Sequence, residues 1–237
     1  MELDSTISTP LYQQLENRLR QEIDSGQRPV GSRIPTENEL SQQYNVSRVT
    51  VRKALAGLSE NGYLERKSGK GTFVAEKKIQ RGFSGVTSFS DLCRMTGVTP
   101  GAKTIKIALE EPSDAEIELL QLSPEERIVV LERIRYADDK PVLLETNKFS
   151  ESFSFLFSEN LNNASLFETL KTKHNILFSH STKTFDITFA SSQEAKLLGI
   201  TKGYPLLRIA SVIQNADNTV TNLCQQLCIG DKFKIIV

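Results

Sequence analysis

The chain has 237 residues, more than one ordinary domain needs and about right for two. Apolar residues make up 38% and charged residues 24%, a composition that folds rather than staying disordered. With 29 basic and 29 acidic residues the net charge is zero, which excludes a uniformly basic nucleic-acid coat but not a local basic patch. The longest apolar run, Ile128 to Leu131, is far too short to span a membrane. The start Met1-Glu2-Leu3-Asp4 is acidic and lacks the apolar stretch of a signal peptide. Cys93, Cys224 and Cys228 form no Cys-x-x-Cys pair, and His174 and His180 are the only histidines. A reducing cytoplasm, buried thiols, no metal and no cofactor are therefore expected.

In chain order, Thr9-Pro10 followed by Leu11, Leu15, Leu19 and Ile23 predicts an amphipathic helix. Thr9 is its expected N-cap, Pro10 its first residue and Gly26 its stop signal. Thr36-Glu37-Asn38-Glu39 reads as a capping box that opens a second helix, with Leu40 and Tyr44 on its inner face. After a tight turn at Asn45-Val46, Ser47 caps a third helix reaching about Asn61, with Gly62 at C′. Val51, Leu55 and Leu58 form its buried stripe. Arg48, Thr50, Arg52 and Lys53 cluster in its first two turns, mostly away from that stripe. This is the pattern of a helix-turn-helix whose recognition helix enters a major groove N-terminus first; a plain solvated helix face is the simpler alternative. Tyr63 to Arg66 and Thr72 to Val74 then predict a hairpin around Lys67-Ser68-Gly69-Lys70-Gly71, a basic wing.

Pro35-Thr36-Glu37, Ser47-Arg48-Val49-Thr50-Val51-Arg52-Lys53-Ala54-Leu55, Gly62-Tyr63-Leu64 and Gly69-Lys70-Gly71-Thr72-Phe73-Val74 together resemble the winged helix-turn-helix of GntR-superfamily bacterial regulators. The resemblance covers roughly residues 9 to 75. It implies contacts to double-stranded, palindromic operator DNA from Arg48, Thr50 and Arg52 on the third helix and from Gly69 and Lys70 in the wing. Thr36, Asn38, Ser47 and Lys53 complete the candidate set. The family usually has an Arg three residues after the motif proline; here it is Asn38, which suits an adenine edge or a phosphate.

Residues 76–83 are polar and aperiodic and are expected to be a linker between a DNA-binding domain at 1–75 and a second domain at 84–237. Beyond them the pattern mixes helices and strands. Helices are predicted at Phe89 to Met95, from Ser113 to Leu120, from Ser165 and at Ser192 to Leu198. Strands are predicted at Lys103 to Leu109, at Arg127 to Tyr136 and Pro141 to Phe149 around Asp138-Asp139, at Thr182 to Phe189, and in a last hairpin, Leu206 to Gln214 with Thr219 to Ile229. The fold class is thus a winged helix-turn-helix, mostly α with a β wing, followed by an α+β domain on an antiparallel sheet.

Arg133 and Arg135 share one face of their strand. Two adjacent guanidiniums repel unless an anion lies between them, so either a phosphate or carboxylate ligand or a cross-strand ladder with Glu145 is expected. Whether Glu145 faces Arg133 depends on strand register, which one residue of turn length would change. Gly85 to Ser90, Thr99-Pro100-Gly101, Arg133 to Asp138, Pro141 to Glu145, Leu198-Gly199-Ile200 and Gly203 to Leu206 look like the UTRA effector domain of the HutC-type GntR subfamily. That resemblance implies a chorismate-lyase-like fold and a small effector. In relatives sensing phosphorylated amino sugars, it places the ligand against Phe89, Ser90, Arg133, Arg135, Glu145, Ser165 and Phe167. This chain departs from them at Phe167, Asn222 and Cys228-Ile229-Gly230-Asp231. The resulting expectation is a homodimeric repressor governed by a small anionic metabolite. The alternatives are a second domain that only dimerises, or a lyase-like enzyme.

Overall fold

The computed structural model describes residues 3–4, 6–76, 78–82, 85–123 and 125–236. They form two compact units, Met1–Lys78 and Ile79–Val237.

The first unit contains α1 (Leu11–Asp24), α2 (Glu37–Tyr44), α3 (Arg48–Glu60) and an antiparallel hairpin of β1 (Leu64–Lys67) and β2 (Gly71–Val74). Local chemistry sets most of the boundaries. The Thr36 hydroxyl accepts the Glu39 N–H at 3.3 Å, while the Glu39 carboxylate accepts the Thr36 N–H at 2.7 Å. Asn45 is left-handed (φ 51), and Ser47 Oγ accepts the Thr50 N–H at 3.1 Å to start α3. Gly62 (φ +76) closes it. The first helix differs from expectation: its cap is Pro10, not Thr9. Pro10 has ψ 142, outside the helical region, and its carbonyl takes the first N–H groups, from Gln13 and Gln14. Leu15, Leu19, Leu40, Val51, Ala54, Leu55 and Leu58 make the core, each fully buried leucine contributing about 1.5–3 kcal/mol.

The second unit is built on a six-stranded, wholly antiparallel sheet. Its strands in chain order are β4 (Pro100–Glu110), β5 (Ile128–Ala137), β6 (Lys140–Ser150), β7 (His180–Phe189), β8 (Pro205–Gln214) and β9 (Val220–Ile229); in space they run β4-β5-β6-β9-β8-β7. The hairpin of β5 and β6 turns at Asp138 and Asp139, both left-handed (φ 47 and 62), as a two-residue turn compatible with strand twist requires. One face carries α5 (Asp114–Leu120) and α7 (Ser192–Leu198), each over its own apolar cluster. Across the other face lie α4 (Phe89–Met95), α6 (Leu166–His174) and a 3-10 turn over Glu151–Ser158.

Part of the expected linker is structured. Ile79–Gly82 is a strand, β3, paired in parallel with β10 (Phe233–Ile236), with Ile79 opposite Phe233. Ile79 and Arg81 point inward and are buried. Of the remaining expected linker residues, 77 and 83 lie outside those described. No described helix is long and apolar enough to cross a membrane.

Candidate functional site

The leading end of α3 presents a polar, cationic surface. Arg48, Arg52 and Lys53 are exposed, as are Ser47 and, on the neighbouring elements, Thr36 and Asn38. Thr50 is half-buried, its hydroxyl 2.8 Å from that of Ser47. Arg52 Nη2 donates to Glu37 Oε2 at 3.0 Å, tying α3 to the start of α2. The Arg52 guanidinium holds the Glu37 carboxyl below the usual carboxylate range, with Arg48 and Arg66 adding to the field. Lys53 turns elsewhere: its ammonium sits 3.8 Å from the Tyr12 ring centroid, against α1. In the wing, Gly69 is left-handed (φ +70) and Lys70 is exposed at the tip. Gly71 (φ +118) leaves room for Arg33, whose Nε would lie 3.0 Å from an added Cβ. Arg33, Arg66 and Thr36 line a groove of about 370 Å³ between the wing and α2. Sequence reading passed over Arg33 and the valine between Arg48 and Thr50. Val49 is 74% exposed, an apolar side chain offered to solvent among cations.

The second unit holds a buried polar cluster beneath α4 and α6. A bulge makes it. Arg135 pairs with Leu143 but Tyr136 with Pro141, so Val142 is an extra residue and the register slips by one. That slip sets Arg133 opposite Glu145, on the same face of the sheet, rather than opposite Leu144. Arg133 Nη2 donates to Glu145 Oε2 at 2.6 Å, and Arg133 Nη1 to the Ala164 carbonyl at 3.3 Å. Arg135 Nη1 lies 3.7 Å from the same carboxylate oxygen, and its Nη2 donates to Ser90 Oγ at 2.9 Å. The Arg135 guanidinium also stacks 4.7 Å from the Phe89 ring centroid. On the next strand, Gln226 Nε2 donates to Glu145 Oε1 at 2.9 Å, and Arg81 of β3 donates to Gln226 Oε1.

Arg133 is 1% exposed, Arg135 2% and Glu145 7%. Burial drives the Glu145 carboxyl upward, but Arg133, Arg135 and the Gln226 amide outweigh it and hold the group at about 2. Burial lowers Arg135 to about 10, against the pull of Glu145. Since the folded carboxyl sits below its ordinary value of 4.5, its stabilising contribution is complete above that value and is lost as pH falls toward 2. Acid unfolding followed by circular dichroism should therefore be less steep between about pH 5 and 3 in Glu145→Gln than in the wild type. An equal slope in the two proteins contradicts the assignment.

The Nε atoms of Arg133 and Arg135 are buried and have no hydrogen-bond partner. Ser165 caps α6, its hydroxyl 3.4 Å from the Glu168 nitrogen, and Phe167 packs edge-on to Phe178 with the rings 4.6 Å apart. Ser90 lies inside α4 rather than at its cap, which is Ser88. Six of the seven expected effector residues, Phe89, Arg133, Arg135, Glu145, Ser165 and Phe167, line one cavity; Ser90 stands behind it, accepting the Arg135 bond. Arg81, Lys183, Ser211 and Gln226 join them, and sequence reading assigned none of these four to the site. Arg81 sat in the expected linker. Burial, more than the neighbouring Arg81, lowers the Lys183 ammonium. The cysteines carry no reactive character: burial pushes the thiols of Cys93 and Cys228 up to about 12, and that of Cys224 up as well.

A winged helix-turn-helix followed in the same chain by an α+β unit with a buried cationic cavity defines the class: a ligand-responsive, DNA-binding regulator. Comparison with known proteins agrees. Residues 11–74 match the family of bacterial regulatory proteins called gntR, and residues 95–234 match the UTRA domain. The chain is 36% identical over 208 residues to the uncharacterized HTH-type transcriptional regulator YurK of Bacillus subtilis, covering 87% of this chain and 86% of that one. Over 236 residues it is 27% identical to the transcriptional repressor NagR of the same organism, covering 100% and 97%. The crystal structure of PhnF from Mycobacterium smegmatis superposes with a TM-score of 0.85 at 25% identity, over 93% of this chain and 96% of that one. The chain belongs to the GntR family and carries its UTRA domain. It is a transcriptional regulator, not an enzyme, and the lyase alternative falls.

Proposed function

We propose that this regulator is a cytoplasmic homodimeric repressor that is released from a palindromic operator when a small anionic metabolite enters the second unit. The observation that carries the effector half is the buried pair Arg133 and Arg135: each keeps an unpartnered Nε–H, and one carboxylate, Glu145, serves both. Buried donors of this kind are costly unless an acceptor meets them, and a phosphate or carboxylate is the acceptor that suits a guanidinium fork. The Arg133–Glu145 ladder is consistent with this role, because an incoming anion competes with Glu145 for the same guanidiniums.

On the DNA side, the exposed Arg48 and Arg52 are set to read base edges, and Lys70 to meet phosphate from the wing tip. Thr36, Ser47 and Thr50 support phosphate contacts near the helix starts. Asn38 is exposed in the first turn of α2, and Val49 suits a thymine methyl. Lys53, held over Tyr12, contributes through the phosphate field rather than by reading bases. One winged helix reads few base pairs, so a symmetric pair of them on two half-sites supplies the specificity.

Two measurements test this reading. Binding sites are selected from a random DNA pool, and metabolites are screened for those that both raise the melting temperature and weaken binding to the selected sites. A ligand at 100 times its Kd adds roughly 2.7 kcal/mol to stability. Failure of every phosphorylated or carboxylated metabolite to do both defeats the effector half. Separately, Lys70→Ala should reduce the slope of log affinity against log salt by about one, weakening selected and random DNA alike. An unchanged slope removes Lys70 from the interface.

A further inference from the structure

Among the described residues that line the cavity, four cations (Arg81, Arg133, Arg135 and Lys183) meet one carboxylate, Glu145. They are not one cluster. Arg133 and Gln226 stand two strands apart, roughly 10 Å across the sheet, with Glu145 on the strand between them. The side chains are bonded in series, Arg133 to Glu145, Glu145 to Gln226 and Gln226 to Arg81. Glu145 is thus engaged at the Arg133–Arg135 end, whereas the acceptor of Arg81 is a neutral amide oxygen. Lys183 lies on the Arg81 side: it pairs with Ser211 on β8, which pairs with Cys224, two residues from Gln226 on β9. Its ammonium donates to the Gly85 carbonyl at 2.8 Å. Ser211, buried, lines the cavity between them. A single phosphate cannot reach both ends, because the Glu145 carboxylate and the Gln226 amide stand in the way.

Building on the anionic effector proposed above, we infer that the cavity takes an effector with two anionic ends, a phosphate at Arg133 and Arg135 and a carboxylate at Arg81, Lys183 and Ser211. The ligand class is an acyclic or open-chain phosphorylated acid several carbons long. A sugar phosphate without a carboxylate uses only the first end.

The probes are 6-phosphogluconate and glucitol 6-phosphate, which differ only in a carboxylate or a hydroxymethyl at C1. Titration calorimetry on the full chain should find 6-phosphogluconate bound at least about 10-fold more tightly. Arg81→Gln should weaken 6-phosphogluconate by at least about five-fold more than glucitol 6-phosphate, collapsing the preference. Lys183→Gln gives the same reading if Arg81→Gln does not fold by its melting curve. Arg135→Ala should lose both ligands. Equal affinity of the two probes in the wild type, or a preference that survives both Arg81→Gln and Lys183→Gln, overturns the second subsite while leaving the anionic effector standing. If neither probe binds the wild type, the second subsite and its ligand class fall; if Arg135→Ala binds both as the wild type does, the anionic reading beneath falls with them.

Discussion

Arg133→Ala should lower the stability of the second unit by about 3–5 kcal/mol, because it strips the closest cation from a carboxylate that cannot reach water. For a unit of this size that is a drop in melting temperature of roughly 10 °C or more. The unfolding of the two units need not coincide, so calorimetry must resolve the transition of residues 79–237 before the shift is read. The double change Arg133→Ala with Glu145→Ala removes both charges and should recover part of the loss, a coupling of about 1–3 kcal/mol. Arg135→Ala should cost less, since Arg135 stands 3.7 Å from Glu145 where Arg133 stands 2.6 Å away. Its main loss should be the response to ligand. If Arg133→Ala melts with the wild type, the triad contributes nothing to the fold.

The second large effect is on DNA. Arg48→Ala and Arg52→Ala should each weaken specific operator binding by about 1–3 kcal/mol while leaving the melting curve of the first unit in place. Both side chains are exposed, and the Arg52–Glu37 pair, with Arg52 61% exposed, adds at most about 1 kcal/mol to folding. Glu37 has a further effect. Its carboxylate aims the Arg52 fork and stands close to where phosphates would come. Glu37→Gln should therefore tighten binding to random DNA and narrow the gap between specific and random sequences. Fluorescence anisotropy with a selected site and a scrambled one reports both numbers. A specific affinity for Arg52→Ala equal to that of the wild type removes α3 as the reading helix.

What could be read in the sequence was local. Thr36 with Glu39, Ser47, Gly62, Asp138-Asp139 and Gly199 each signal their turn or cap within a few residues, and the structure has all of them. The buried stripe of Val51, Leu55 and Leu58 follows from helical spacing alone. The Pro10 cap was misplaced by one residue because threonine usually caps and proline usually follows it. Whether Arg133 faces Glu145 hung on the bulge at Val142, which no local pattern announces. Arg81 escaped notice for a different reason. Four residues of alternating burial between polar neighbours carry little signal, and the partner of β3 lies at the far end of the unit. Lys183 sits on a strand whose exposure is mixed, where one inward lysine does not stand out.

The parallel pairing of β3 with β10 also sets an order of events during synthesis. The two strands are about 150 residues apart, so their contact closes last as the chain emerges from the ribosome, about 10–30 s after β3 itself has been made. The first unit has no such debt: its helices and hairpin depend on neighbours within a few dozen residues and can fold as soon as they are extruded. A half-made chain therefore has a finished winged helix before Ile79 is covered or Arg81 is seated beside Gln226. Until β10 arrives, such a chain has a complete winged helix but no means of sensing an effector. Codon choice between β3 and β10 thus governs how long each new molecule spends in that state.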